Sequence, residues 1–233
     1  MINLVSVCTD NYSMVYANKL HRQFSNLTNL EVSHWCLTDR PSELLEFIKP
    51  IAPFKKSKGW WNKINLYSPH MPKGHILYMD LDIVLLKNFD QEIIEMTKRT
   101  ESMCCVSDAI EWMGEKFNSS LMFFESGVHS KIYEYFEQNE SALNNLEGGD
   151  QVWTGPQLSS IYYIDDSFPD LKKNLKFHLA HKVGNKLKLP TNICESIKLI
   201  DCSGNPKPHQ LEAVPYIKNN WHLVQLNDEA PSI

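Results

Sequence analysis

No segment of this 233-residue chain approaches the ~18 consecutive apolar residues of a membrane-crossing helix. Met1 to Val7 lacks the basic start and longer apolar stretch of a secretory leader, so the expected location is cytoplasmic. The six cysteines contain no Cys-x-x-Cys pair. Without an oxidising compartment they read as thiols, mostly buried. Asn-x-Ser/Thr triplets, such as those at Asn26 and Asn139, then reflect composition rather than glycosylation. The formal charge of −5 argues against nucleic acid as a partner, which calls for a basic stripe. No basic amphipathic tail marks a lipid surface. No repeat, low-complexity tract or linker divides the chain, and its length suits one domain with a proper core. His21, His34, His70 and His75 show no metal-ligand spacing.

Hydrophobic residues make up 42% of the chain and charged residues 22%, as in ordinary globular proteins. Aromatics at 11%, six of them Trp, read mainly as core. Strand patterns over 2–8, 30–38 and 75–80 alternate with helical ones over 12–24, 42–49 and 60–67. Thr9-Asp10-Asn11 carries turn and N-cap chemistry before the first helix. Beyond these, 90–99 and 128–146 read as helices, and 102–107, 117–124, 160–164 and 197–201 as strands. The chain from about 206 reads as an irregular tail. The alternation predicts an α/β fold with a mixed, mostly parallel sheet flanked by helices. Ligands of such sheets sit at the carboxyl ends of the strands. The Thr9 turn and residues 80–82 both fall there.

Residues 76–86, Ile-Leu-Tyr-Met-Asp-Leu-Asp-Ile-Val-Leu-Leu, place two carboxylates in an apolar run. In an extended strand Asp80 and Asp82 point to one side, roughly 6.5–7 Å apart. Unpaired carboxylates in such surroundings are costly unless a cation or hydrogen bonds neutralise them. A hard divalent metal that shares its shell with phosphate oxygens would do so. A phosphatase of the haloacid-dehalogenase type would use the first Asp as nucleophile and the second as acid. That signature continues with Thr near the amino terminus, whereas Ile83-Val84 follow here. A strand-end pair with no metal is the third reading. The glycosidase reading fails, because the two are too close to flank a sugar as acid and nucleophile.

Four other segments accompany the pair. They are Gly59-Trp60-Trp61-Asn62-Lys63, with Lys63 17 positions before Asp80; Phe117-Asn118-Ser119-Ser120; Gly148-Gly149-Asp150-Gln151; and Ser203-Gly204-Asn205-Pro206-Lys207-Pro208-His209. Taken singly, they are weak signals, two of them plain turn chemistry. In this order, over residues 2–209, the chain resembles the retaining glycosyltransferases of family 8, the glycogenin and bacterial galactosyltransferase group. The resemblance implies one GT-A domain over 1–233. It also implies metal-dependent transfer of a sugar from a UDP-sugar to a carbohydrate or glycoconjugate acceptor, with retained configuration. Thr9 and Tyr12 match the nucleotide-base pocket, and Lys63 matches a donor-binding lysine. Asp80 and Asp82 match the ligands of Mn²⁺ or Mg²⁺, with Asp80 also at the donor. Asn118 and Ser119 match the segment beside the donor sugar. Asp150 and Gln151 match the pair at the reacting centre, and Gly204 and Lys207 match the diphosphate-binding end.

Three positions depart from the pattern. Ser120 stands where the family has glycine, and His209 where it has tryptophan. Asp201 stands where it has the histidine that is the third metal ligand, which would make a three-carboxylate site. Residues 171–190 hold six lysines, His178 and His181 and no acidic residue. They read as a solvated basic face, a lid over the diphosphate or an acceptor-facing surface. Trp60-Trp61 reads as helix packing, with sugar stacking as the alternative. Tyr216 and Trp221-His222 read as tail packing, with acceptor contact as the alternative. A nucleotidyltransferase would need a Gly-rich, Arg-containing loop where this chain has Cys8-Thr9-Asp10-Asn11-Tyr12. A catalytically silent nucleotide-sugar-binding protein is a further alternative.

Overall fold

Strand β1 (Ile2–Cys8) is apolar on both faces, which suits a parallel strand covered on each side. A computed structural model describes residues 1–10, 12–110, 114–143, 146–183 and 186–226; Asn11 of the first turn lies outside the described residues. Helix α1 (Met14–Leu27) starts on Ser13, whose side chain accepts the Val15 N–H, not on the Thr9–Asn11 signal. Next come β2 (Val32–Thr38) and β3 (Lys49–Ile51). The helix expected over 42–49 is absent. Pro41 supports only a one-turn 3-10 helix, Pro41–Glu43, and the chain then extends into β3. Pro50 is tolerated there because β3 is the edge strand.

The segment Gly59–Tyr67 is a 3-10 helix rather than an α-helix. Asn62 and Asn65 donate to the carbonyls of Ser57, Gly59 and Lys55, holding the segment in a tight, loop-bound form. Then follow β4 (His75–Met79), β5 (Ile83–Leu85), α2 (Asp90–Met96), β6 (Met103–Ser107), β7 (Phe117–Glu125), α3 (Ser130–Leu143) and α4 (Gly149–Thr154). Strands β8 (Ile161–Tyr163), β9 (Lys172–Asn174), β10 (His181–Val183), β11 (Lys186–Lys188) and β12 (Leu199–Asp201) complete the set. Among the described residues no helix is long and apolar enough to cross a membrane.

The main sheet has the order β3-β2-β1-β4-β7-β6-β8. All its pairings are parallel except those that β7 makes with β4 and β6. The mixed, mostly parallel sheet expected from the sequence is therefore present. Its strands alternate between two cores, apart from a bulge where β6 and β7 pair. Leu77 and Met79 of β4 face one with Leu4, Cys104 and Phe123; Ile76 and Tyr78 face the other with Val5, Cys105 and Met122. Helix α1 covers the first core through Leu20 and Phe24, and the 3-10 helix and α3 cover the second through Trp61, Ile64 and Phe136. Fully burying each such side chain contributes roughly 1.5–3 kcal/mol.

A smaller sheet, β5-β12-β9, packs on the first core. As far as residue 226 the tail is only partly irregular. Pro208–Gln210, Pro215–Ile217 and Lys218–His222 are short helical turns, and Ile217 and Trp221 are buried in that core. The six cysteines are all free, and only Cys194 is exposed.

Candidate active site

The chain runs outward from β1 to β2 and β3, then returns to β4 on the far side of β1. That reversal opens a crevice at the carboxyl ends of β1 and β4, the usual ligand position in such sheets. A cavity of about 1330 Å³ lies there, lined among others by Thr9, Tyr12, Lys63, Asp80, Asp82 and Lys207. Asn118, Ser119, Asp150, Gln151 and Asp201 line it too. Gly204 does not. It has φ +72°, and a Cβ there would lie 2.2 Å from the Lys176 ammonium. The tail's Tyr216 and Trp221 are buried in the core, so the packing alternative describes them.

Strand β4 ends at Met79, one residue earlier than expected, and the Ile83 N–H donates to the Asp80 carbonyl across a turn. Asp80 and Asp82 are therefore not side by side on an extended strand; they serve two different clusters. Asp80 accepts from the Tyr78 hydroxyl and pairs with the Lys63 ammonium at 2.8 Å. Lys63 also reaches Asp150 at 3.9 Å and donates to Ser119 Oγ at 3.2 Å. Burial opposes charge on Lys63, but Asp150 and Asp80 outweigh it and raise its pKa. Burial raises the pKa of Asp150, which Lys63 partly offsets.

Asp82 pairs with the Lys207 ammonium. Burial, then the charges of Asp80 and Asp201, push Asp82 up to about 6. The antiparallel pairing of β12 with β5 sets Asp201 opposite Ile83, and the Cys202 N–H donates to the Asp82 carbonyl. Asp201 therefore arrives beside Asp82, yet it pairs with Lys172 at 2.9 Å. Among the described residues no group of three or more His, Cys, Asp or Glu side chains is arranged to hold a metal ion. The trio Asp80, Asp82 and Asp201 is thus not gathered into one shell.

Several residues had no individual reading from the sequence. Asp108, just past the carboxyl end of β6, accepts the Gln151 amide at 2.6 Å and the Asn118 amide at 3.1 Å. Its place after a parallel strand was a usable signal. Tyr78 and Lys172 carried none, because one belongs to an apolar strand and the other to a lysine-rich stretch. Asp10, at φ +56°, accepts from the Gly59 N–H and the Asn62 amide and ties the first turn to the 3-10 helix. The Trp60-Trp61 pair divides. Trp61 stacks on Phe136 in the core, while Trp60 is 58% exposed at the cavity. A Cβ on Gly149, at φ +66°, would lie 2.3 Å from the Trp60 ring, so that ring rests on the turn before Asp150. From the basic segment, Lys172, Lys173, Phe177 and His178 line the cavity; the side chains of Lys182 and Lys186 lie outside the described residues.

A mixed sheet with a strand-end cavity of paired carboxylates and lysines agrees with the GT-A fold expected from the sequence. Among solved structures the chain is similar to the galactosyltransferase LgtC, determined with donor and acceptor sugar analogs. The TM-score is 0.66 at 13% identity, covering 99% of this chain and 98% of that one. It is also similar to the glycosyltransferase GlyE of Streptococcus pneumoniae TIGR4, with TM-score 0.64, 13% identity and coverage of 98% and 63%. The bifunctional glycosyltransferase WbbM gives 0.62, 12%, 94% and 50%. These likenesses establish the fold. No family model matches the sequence, and no curated protein matches it.

Proposed function

We propose that the protein is a glycosyltransferase of the family 8 type that takes a UDP-sugar as donor and transfers the sugar with retention to a carbohydrate or glycoconjugate acceptor. The observation that carries this reading is the charge pattern of the cavity. Among the described residues Asp80, Asp82, Asp150 and Asp201 pair with the ammoniums of Lys63, Lys172 and Lys207, and the lining adds Lys173 against the further carboxylates of Asp10, Asp108, Glu147 and Asp165. An anionic diphosphate would be repelled by that surplus unless a cation accompanied it. The donor set suits a hard divalent ion, because it consists of carboxylate oxygens. One oxygen of Asp80 and one of Asp82 accept nothing from the described residues.

Asp80 and Asp82 would hold Mn²⁺ or Mg²⁺, leaving further positions to phosphate and water. When bound, such an ion neutralises the charge that develops on the departing diphosphate. The chain's own residues do the rest. Lys207 and Lys63 exchange a carboxylate partner for phosphate oxygens. Thr9 and Tyr12 form the wall for the base, and Gly204 stands behind the diphosphate end. Asn118 and Ser119 border the donor sugar. Asp150 holds a sugar hydroxyl, and Gln151, fixed by Asp108, faces the reacting carbon.

The test is a panel of nucleotide sugars incubated with the purified protein, with and without Mn²⁺. The expected result is Mn²⁺-dependent release of UDP from one donor, and a loss of at least about 100-fold in Asp80→Asn with the fold intact. No release from any donor, or undiminished turnover in Asp80→Asn, would sink the reading.

A further inference from the structure

Lys172, the first residue of β9, is the least accessible ammonium of the cavity, with its side chain 5% exposed. It has three protons and meets three acceptors: Asp201 Oδ2 at 2.9 Å, Asn118 Oδ1 at 3.1 Å and Ser120 Oγ. The other oxygen of Asp201 accepts the Ser203 N–H at 2.8 Å. Both oxygens of Asp201 are thus engaged within the protein, unlike those of Asp80 and Asp82. The topology explains the choice. Strand β12 lies between β5, which leads to Asp82, and β9, which carries Lys172. Asp201 can serve one neighbour or the other, and it serves β9. A bound ammonium and a divalent ion compete for the same oxygens.

The same ammonium, together with the Ser120 N–H and hydroxyl, holds the oxygen of the Asn118 amide. With its oxygen on Lys172, that amide turns its NH₂ to Asp108, which also holds Gln151. A chain of hydrogen bonds therefore runs from β12 to the reacting centre.

We propose that Lys172 is a built-in cation that keeps Asp201 out of the metal shell, so that the metal site of this chain has two carboxylate ligands, Asp80 and Asp82. The metal half rests on the function proposed above; the Lys172–Asp201 pairing does not.

Mn²⁺ binding to the full chain, read by electron paramagnetic resonance without nucleotide, tests the metal half. Asp82→Asn should weaken binding at least about tenfold. The double variant Lys172→Met/Asp201→Asn removes a neutral pair and should stay within about threefold of the parent. Lys172→Met alone frees Asp201 and should tighten binding about fivefold or more. A double variant that loses Mn²⁺ as Asp82→Asn does would make Asp201 a ligand and overturn the proposal. A failure of Lys172→Met to tighten binding would do the same.

Thermal unfolding without metal tests the pairing of Lys172 with Asp201. Each single variant strands a buried charge and should lower Tm, and the double should recover at least half of the summed loss, about as seen for other buried pairs replaced together. Losses that simply add would overturn the pairing. If the parent chain binds no Mn²⁺ at all, the metal reading falls, and the unfolding cycle alone judges Lys172. The double variant keeps the test alive should Lys172→Met fail to fold.

Discussion

At the residue scale, the site is a set of lysines standing where its carboxylates need counter-charge. Lys63 is the clearest case, since its ammonium pairs with both Asp80 and Asp150. Lys63→Met strands two partly buried carboxylates and should destabilise the protein by about 3 kcal/mol, the lower end of the range for breaking a buried pair. Chemical denaturation checks this; an unchanged midpoint would show the pairs to be energetically idle. Gly149 gives a second prediction. Its left-handed backbone and the Trp60 ring leave no room for a Cβ. Gly149→Ala should cost about 1–2 kcal/mol from the backbone alone, and more from the ring. A Trp60→Ala background should return the extra part, which unfolding of the single and double variants would show. Neither the Lys63 contacts nor the Trp60–Gly149 contact was legible in the sequence, because each joins segments many positions apart.

At the scale of elements, β1, β4, β6 and β7 were readable because both of their faces are largely buried and their apolar runs are nearly continuous, while only the carboxyl half of β2 is fully buried. Strand β5 was not, because it continues the apolar run of β4 with no polar break but Asp80 and Asp82, nor was β9, which lies in the lysine-rich stretch, and β3 was hidden behind a helical pattern that stops at Glu43. The 3-10 helix was read correctly as helical in extent but not in type, since the type is set by Asn62 and Asn65 gripping the preceding loop. The packing of α1 on β1 and β2 carries a pH prediction. His21 bridges Ser6 at 2.9 Å and His34 at 3.0 Å, deep in this interface. Burial holds His21 well below the usual histidine range and lowers His34 to about 4. The unfolded chain protonates both near ~6.5, so between that pH and about 4 it binds more protons than the fold does. Stability is therefore fully present above ~6.5 and falls as the medium is acidified, by roughly 3 kcal/mol for His34. His34→Gln should flatten that acid limb in denaturation curves taken from pH 7 to 4; an unaltered limb would assign it to other groups.

At the scale of the molecule, two sheets meet at one cavity, and a ligand that fills it would tie them together. A ligand bound at 100 times its Kd adds about 2.7 kcal/mol of stability. UDP with Mn²⁺ should therefore raise Tm and slow tryptic cutting within residues 171–190, of which Lys172, Lys173, Phe177 and His178 line the cavity. Equal cutting with and without the ligand would remove the lid reading of that segment. The sequence by itself determined the fold class and marked the residues on which the proposed chemistry rests. Nearly continuous apolar runs mark the central strands, and Thr9, Asp80, Asn118 and Lys207 stand near strand ends or turns, where local chain chemistry is visible, while Lys63 and Asp150 sit in short helices. Which carboxylate meets which cation was decided only by the tertiary structure. A turn that starts at Asp80 parts it from Asp82, and the order β5-β12-β9 brings Asp201 to Lys172. Ion pairing depends on distances across strands that are far apart in sequence, and those distances exist only once the sheets have assembled.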